Sequence, residues 1–493
     1  MRKLLYLLLP IVALACSGSE DKPGDGGQDD PVIETPVQEE SNAVCVDAPV
    51  VLTLASAPVL GNSGKICIFD SSDKLVDEID LADMANASVR KDGQMIPAEQ
   101  LTKESKFHTF LDAVKCANRW RIIHYTPLRV DGKKLLIRPH SGVLDFGKEY
   151  YVTIDKGVIV SHDGLKKGDL SIKTKAKPAS KSQLKVSAAG DADFCTLQGA
   201  VSYAASLGKS AEVSISVADG VYEETVFIRD KNNLTIKGAS RAGSVIAYAN
   251  NESYANGSGA SSSARPTVGN AIGACGGRGV ILVESCDNLT IENLTLKNTF
   301  GEEKGQAEVI YFNNDNGHLT IENCSLHSLQ DTFLCKGWVY VHNSLVSGGC
   351  DFIWGYPKAC LFEDCEIRAD AVGYIVQARV NNASDKGFVF LNCKLTAAEG
   401  VKNGAMYLAR SGGSKDYYDN VTYVNCVMAP VISGTGWYAS PAPNPSSASA
   451  SSGWKEYGSK DLSGKAISNH SHCKYLSDAE AAAFSSKAAV LGN

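Results

Sequence analysis

Residues 329–355, LQDTFLCKGWVYVHNSLVSGGCDFIWG, carry two aspartates, Asp331 and Asp351, twenty residues apart. Each sits in a short polar segment, and the β-type run WVYVHNSLV lies between them. Twenty residues is about one coil of a stacked solenoid, whose repeats run ~20–45 residues. Equivalent places on neighbouring coils lie one inter-strand spacing apart, ~4.8 Å. Two carboxyls that close do not ionise together easily, so one keeps a proton and the other a charge. An acid beside an anion is what nucleophilic catalysis with a proton donor needs. Either aspartate alone reads as a turn residue; the pair and its flanks point to chemistry.

The elements that must position the pair show as a recurring fragment: NLTL at 293, NCSL at 323, NSLV at 343, DCEI at 364, NCKL at 392 and NCVM at 425. The steps between them are 30, 20, 21, 28 and 33 residues. A constant short element with variable insertions predicts strands stacked in register while the loops differ. Cys324, Cys365, Cys393 and Cys426 then form an inward ladder of small hydrophobes, and the Asn or Asp before each marks a turn. Upstream, LQGAVSYAASL (197–207) has helical periodicity with Thr196 as N-cap, as expected of a helix closing the end of a solenoid. The tail 477–491 reads as a second helix, N-capped by Ser477. Segments 250–272 and 440–453 are low-complexity and read as long loops walling a groove.

At 493 residues the chain predicts two or three units, and its formal charge of −7 argues against nucleic acid as a partner. Arg2 and Lys3 precede an apolar run too short to span a bilayer, which reads as a signal peptide over 1–15. The run ends at LALAC, so Cys16 is the candidate lipidation site of a bacterial lipoprotein. Residues 16–43 are rich in Gly, Pro and acids and read as a tether. This predicts an exported, outer-membrane lipoprotein that touches membrane only through its lipid anchor. Short strands separated by turn signals over 44–176 predict a small β-sandwich, and the stretch resembles a bacterial Ig-like domain. Residues 177–184 read as a linker and 185–493 as the catalytic solenoid. Fifteen cysteines, an odd number that includes Cys16, are sparse for so long a chain and do not form a disulfide framework pattern.

Residues 185–493 resemble the pectin methylesterase family. DGVYEE (219–224), GQAEVIYF (305–312), LQDTFL (329–334), GGCDFIWG (348–355), YLARSGG (407–413), ISGTGW (432–437) and WKEYGSKDLSGKAI (454–467) follow the order of the family's motifs. The resemblance implies a right-handed parallel β-helix and removal of methyl esters from galacturonate in pectin, releasing methanol. It implies Asp351 as nucleophile, Arg410 as the guanidinium holding it, Asp331 as general acid then base, and Gln306 and Gln330 as oxyanion donors. Arg410 lies between Ala409 and Ser411, where the family has Gly and Pro-Trp, so the aromatic sugar platform usual there is missing. Trp354, Phe352 and Trp437 are the candidate substrate contacts, Trp354 and Trp437 being weighed against core packing. Gln377 and Arg379 either reach the groove or make buried hydrogen bonds, and Gly220, Tyr222 and Glu224 shape the first coil. His318, His327 and His342 are single histidines without metal-ligand spacing, so metal is not indicated, and no cofactor is called for. The protein is expected to act as a monomer. A glycosidase using the same two carboxyls, or a binding protein derived from an esterase, is the competing reading.

Overall fold

The computed structural model describes residues 43–81, 89–91, 94–96, 110–252, 277–300 and 305–492. Two antiparallel sheets come first. One orders Val50–Thr53, Lys134–Ile137 and Leu128–Asp131; the other orders Ser171–Lys173, Glu149–Ile154, Lys65–Asp70 and Leu75–Asp80. Alternate residues such as Ile66, Ile68, Tyr150 and Val152 point into one shared core, the period-2 burial of a half-covered strand. The hairpin pairing Phe110–Cys116 with Arg119–Tyr125 departs from this layer, and its Val114 and Cys116 join the core of the solenoid.

The solenoid begins with Gln183–Val186, so its first strand takes up the last residues read as linker. From there to Lys474–Tyr475 the described strands pair in parallel along three ladders. Helix Leu197–Ser206 closes the first coil, with the Thr196 hydroxyl accepting from the Gly199 N–H. The Glu224 carboxylate accepts from the N–H groups of Leu197 and Gln198 at 2.8 and 2.9 Å, which satisfies orphan donors at the helix start. The predicted tail helix is broken. Asp478–Ala481, with a Ser477–Glu480 capping box, is followed by a 3₁₀ turn and by Lys487–Leu491. Phe484 and Val490 lie against Leu361, Val389 and Val424 on the outside of the coil.

The recurring fragment explains itself here. Asn293, Asn323, Asn343, Asp364, Asn392 and Asn425 all have φ between +47° and +56°, a left-handed bend that Asn and Asp tolerate better than other side chains. Each turns the chain from one ladder into the next. Their side chains also bond up the stack, Asn323 Nδ2 donating to Asn293 Oδ1 at 2.8 Å. The residue after each bend points inward, and Cys324, Cys365, Cys393 and Cys426 are all buried, as predicted. Deeper in, Phe362, Phe390 and Tyr423 stack coil on coil with centroids 4.8 and 4.4 Å apart. That spacing matches the strand-to-strand distance of the ladders.

Candidate active site

The third ladder positions the site. Ile281, Ile310, Phe333, Ile353, Val376 and Ala409 form one register row across successive coils. Two residues before Ile310, Phe333 and Ile353 stand Glu308, Asp331 and Asp351. The offset is kept by the Ala307 and Asp331 N–H groups, which donate to the Gln330 and Cys350 carbonyls on the next coil. The two predicted aspartates are therefore at equivalent places on adjacent coils, as their spacing required. A third carboxyl, Glu308, extends the column, and sequence reasoning missed it. Asp331 and Asp351 have φ of +61° and +46°, so each is a turn residue and a candidate catalytic residue at once.

Opposite ends of the column carry opposite partners. Arg410, one residue past the row, donates from Nε to Asp351 Oδ1 at 2.7 Å and from Nη2 to Oδ2. This fork-on-carboxylate pairing is a charge-assisted, bidentate contact, and it raises the Arg410 pKa. Gln377 adds a donor to Asp351 Oδ2 at 3.2 Å, and its own carbonyl oxygen accepts from Arg379. Asp331, 4% exposed, has no such grip. Its carboxyl is pushed up to about 8, chiefly by burial, then by Glu308, with Arg278 opposing and Asp351 adding less. Asp351 was expected to be the main perturbant. Burial dominates because desolvation acts on the whole group, and the fully buried Glu308 is the larger of the two carboxyl contributions.

Gln306 and Gln330 flank the column. The Gln306 carbonyl oxygen accepts from Arg278 Nη1. Its N–H2 and the side-chain amide of Gln330 have no partner among the described residues, so both are available as donors. Trp354 follows Asp351 on the third ladder and has two guanidinium groups near its ring, Arg278 at 5.5 Å and Arg379 at 4.9 Å from the centroid. It borders the site while being largely buried.

Two expected substrate contacts are core residues instead. Phe352 is 0% exposed and packed inside the coil. Trp437 is 1% exposed, stacks on Trp454 at 5.1 Å and donates its indole N–H to Glu456 at 2.7 Å. Phe352, one residue past the left-handed corner at Asp351, packs into the interior of the coil. Cys16 lies outside the described residues, as does most of the 250–272 loop. Arg278 and Glu308 were visible in the sequence only as charges inside otherwise apolar or glycine-rich runs, GGRGV and QAEVIYF.

The Pectinesterase family model matches residues 183–493. Among curated relatives, Pectinesterase 31 of Arabidopsis thaliana is 30% identical over 258 residues, covering 52% of this chain and 76% of the relative. Among solved structures, pectin methylesterase PemA from Erwinia chrysanthemi superposes with a TM-score of 0.51 at 24% identity, over 64% of this chain and 98% of that one. Pectin methylesterase from carrot gives a TM-score of 0.51 at 19% identity, over 64% and 95%. Both structures share the solenoid fold. The match spans well over half of the chain and runs through every coil that holds the carboxyl column, and on that ground this protein belongs to the pectinesterase family.

Proposed function

We propose that the protein hydrolyses the methyl esters of galacturonate residues in pectin, with Asp351 as nucleophile and Asp331 as general acid and base. An Asp351 oxygen attacks the ester carbonyl, and the π electrons move onto the carbonyl oxygen. The amide N–H2 groups of Gln306 and Gln330 stabilise that oxyanion, each such donor being worth ~3 kcal/mol of barrier. Collapse breaks the bond to methoxide, which takes the Asp331 proton and leaves as methanol. Water then attacks the galacturonate carbonyl of the Asp351 acyl anhydride and gives one proton to Asp331; the bond to Asp351 breaks to restore its carboxylate, and the freed galacturonic acid loses its remaining proton to solvent.

One observation carries this reading: adjacent coils present one carboxylate matched by a bidentate guanidinium and one carboxyl held protonated to about 8. Two unengaged amide N–H2 groups beside them favour an ester over a glycosidic bond, because an oxocarbenium-like transition state has no oxyanion to hold. The test is methanol release from methylated pectin against the appearance of new reducing ends. Methanol without reducing ends supports the esterase. The reverse result, or neither product, removes it.

The same reading has the chain exported and acylated at Cys16, acting as a monomer at the outer membrane. Among the described residues no helix is long and apolar enough to cross a bilayer. A Cys16→Ala chain recovered in the membrane fraction as fully as the parent would refute the anchor.

A further inference from the structure

The carboxyl column has three members, not two. Glu308, Asp331 and Asp351 occupy equivalent places on consecutive coils, with Arg278 beside the first and Arg410 gripping the last. Glu308 is 0% exposed. Arg278, also buried, donates from Nε to Glu308 Oε1 at 2.8 Å, from Nη1 to the Gln306 carbonyl oxygen, and from Nη2 toward Asp331 Oδ2 at 3.4 Å. Its Nη1 also reaches Glu252 Oε2 at 3.4 Å.

Among the described residues two guanidiniums contact the three stacked carboxyls, which leaves one carboxyl charge without a matched partner, and in a buried site that excess is relieved by a proton. The position of that proton follows from the geometry. Arg410 is committed to Asp351, and Arg278 is closer to Glu308 than to Asp331. The middle carboxyl, with a carboxyl above and below it, is left to hold the proton.

We propose that Arg278 and Glu308 are positioning residues of the esterase. Arg278 can only donate, so it turns the Gln306 carbonyl oxygen toward itself and the N–H2 toward the ester. Glu308 draws the same guanidinium closer to itself, at 2.8 Å against 3.4 Å to Asp331, so that Asp331 keeps the proton it must give to the leaving methoxide. This inference rests on the esterase reading above and adds two residues that do not touch the reacting atoms. The charged and titratable groups around Asp331 are Arg278 and Glu308 on one side, with Glu252 and Tyr311 facing Arg278. On the other side stand Asp351 with Arg410, Arg379, and the Cys350 thiol, itself pushed up to about 11. Glu308 is pushed up to about 7, mainly by burial and against the pull of Arg278, so it titrates just below Asp331 while Arg278 stays charged.

The test is the pH profile of kcat/KM for methanol release in the full chain and three variants. Asp331 must be protonated to act, so activity falls as pH rises through its pKa. E308Q keeps shape and hydrogen bonding while removing a negative neighbour. The freed Arg278 charge then favours ionised Asp331, and the basic limb moves down by about one pH unit or more. R278M removes the cation, so the limb moves up, and kcat falls by about ten- to a hundredfold as Gln306 loses its orienting donor. In the R278M/E308Q double variant the limb returns toward that of the parent while kcat stays low. A purely structural pair would lower activity at every pH without moving the limb in opposite directions, and that result, or an unmoved limb in E308Q, overturns the proposal. D331N separates this failure from that of the esterase reading. Full turnover by D331N sinks the underlying mechanism, whereas an inactive D331N beside an unshifted E308Q sinks the positioning roles alone.

Discussion

Raising the pH is the perturbation that probes the site most directly. Burial and Glu308 hold Asp331 protonated to about 8. With a proton donor of that pKa, about nine-tenths of the enzyme is competent at pH 7 and about one-tenth at pH 9, so kcat/KM falls close to tenfold per unit above 8. The sign is opposite to that of an ordinary catalytic carboxylate, which gains activity as it ionises. A stability cost runs the same way. A carboxyl whose folded pKa is raised contributes stability that is whole below its unfolded pKa of 3.8 and is lost as pH rises through about 8. The assay is first-turnover release of the leaving group from two esters of a galacturonate oligomer, one methyl and one nitrophenyl, between pH 5 and 10. Methoxide needs the Asp331 proton to leave and nitrophenolate does not. The methyl ester should show the basic limb and the aryl ester should lack it in its burst phase. Undiminished methyl-ester turnover at pH 10, or the same limb for both esters, refutes the assignment of Asp331 as the acid.

Asp351→Asn should lower methanol release by at least about a thousandfold. The melting temperature should change little, because Asn tolerates the φ of +46° at that corner; methanol assay and thermal melt check both halves. Gln330→Ala should cost about a hundredfold in kcat with KM nearly unchanged, and a change confined to KM would move Gln330 from oxyanion donor to ground-state binding. Trp437→Ala should destabilise the fold by about 3–5 kcal/mol and leave substrate affinity intact, as measured by denaturant unfolding and KM. A raised KM with normal stability would restore Trp437 as a sugar contact. Arg410→Lys should cut kcat sharply even though charge is kept, because an ammonium cannot grip both Asp351 oxygens as Arg410 does. Near-parent activity in that variant would show that the bidentate geometry is dispensable.

How much of this was legible in the chain depends on how local each cause is. The Asn-Cys fragments and the 20-residue step from Asp331 to Asp351 announce coils, because one left-handed corner and one inward residue per coil are local requirements that every repeat must meet. Thr196 and the helix it caps were equally plain, for the same reason. The aromatic candidates were not. Phe352 and Trp437 sit in motifs that flank the chemistry, yet Phe352 follows a left-handed corner and Trp437 lies in a bend outside the strands, so no strand period assigns their faces and only the packed coil shows both buried.

Composition and spacing by themselves therefore determined a stacked β architecture and brought two aspartates to one corner of it. Tertiary structure alone decided their charges. Burial and Glu308 keep the proton on Asp331 against the pull of Arg278, 53 residues away in sequence, and the guanidinium that grips Asp351 comes from Arg410, 59 residues away, across loops of unrelated length. Glu308 is hidden in an apolar run until the ladder stacks it on Asp331. A proton's location follows from burial and from every charge within a few ångströms, and neither exists until the coils are closed.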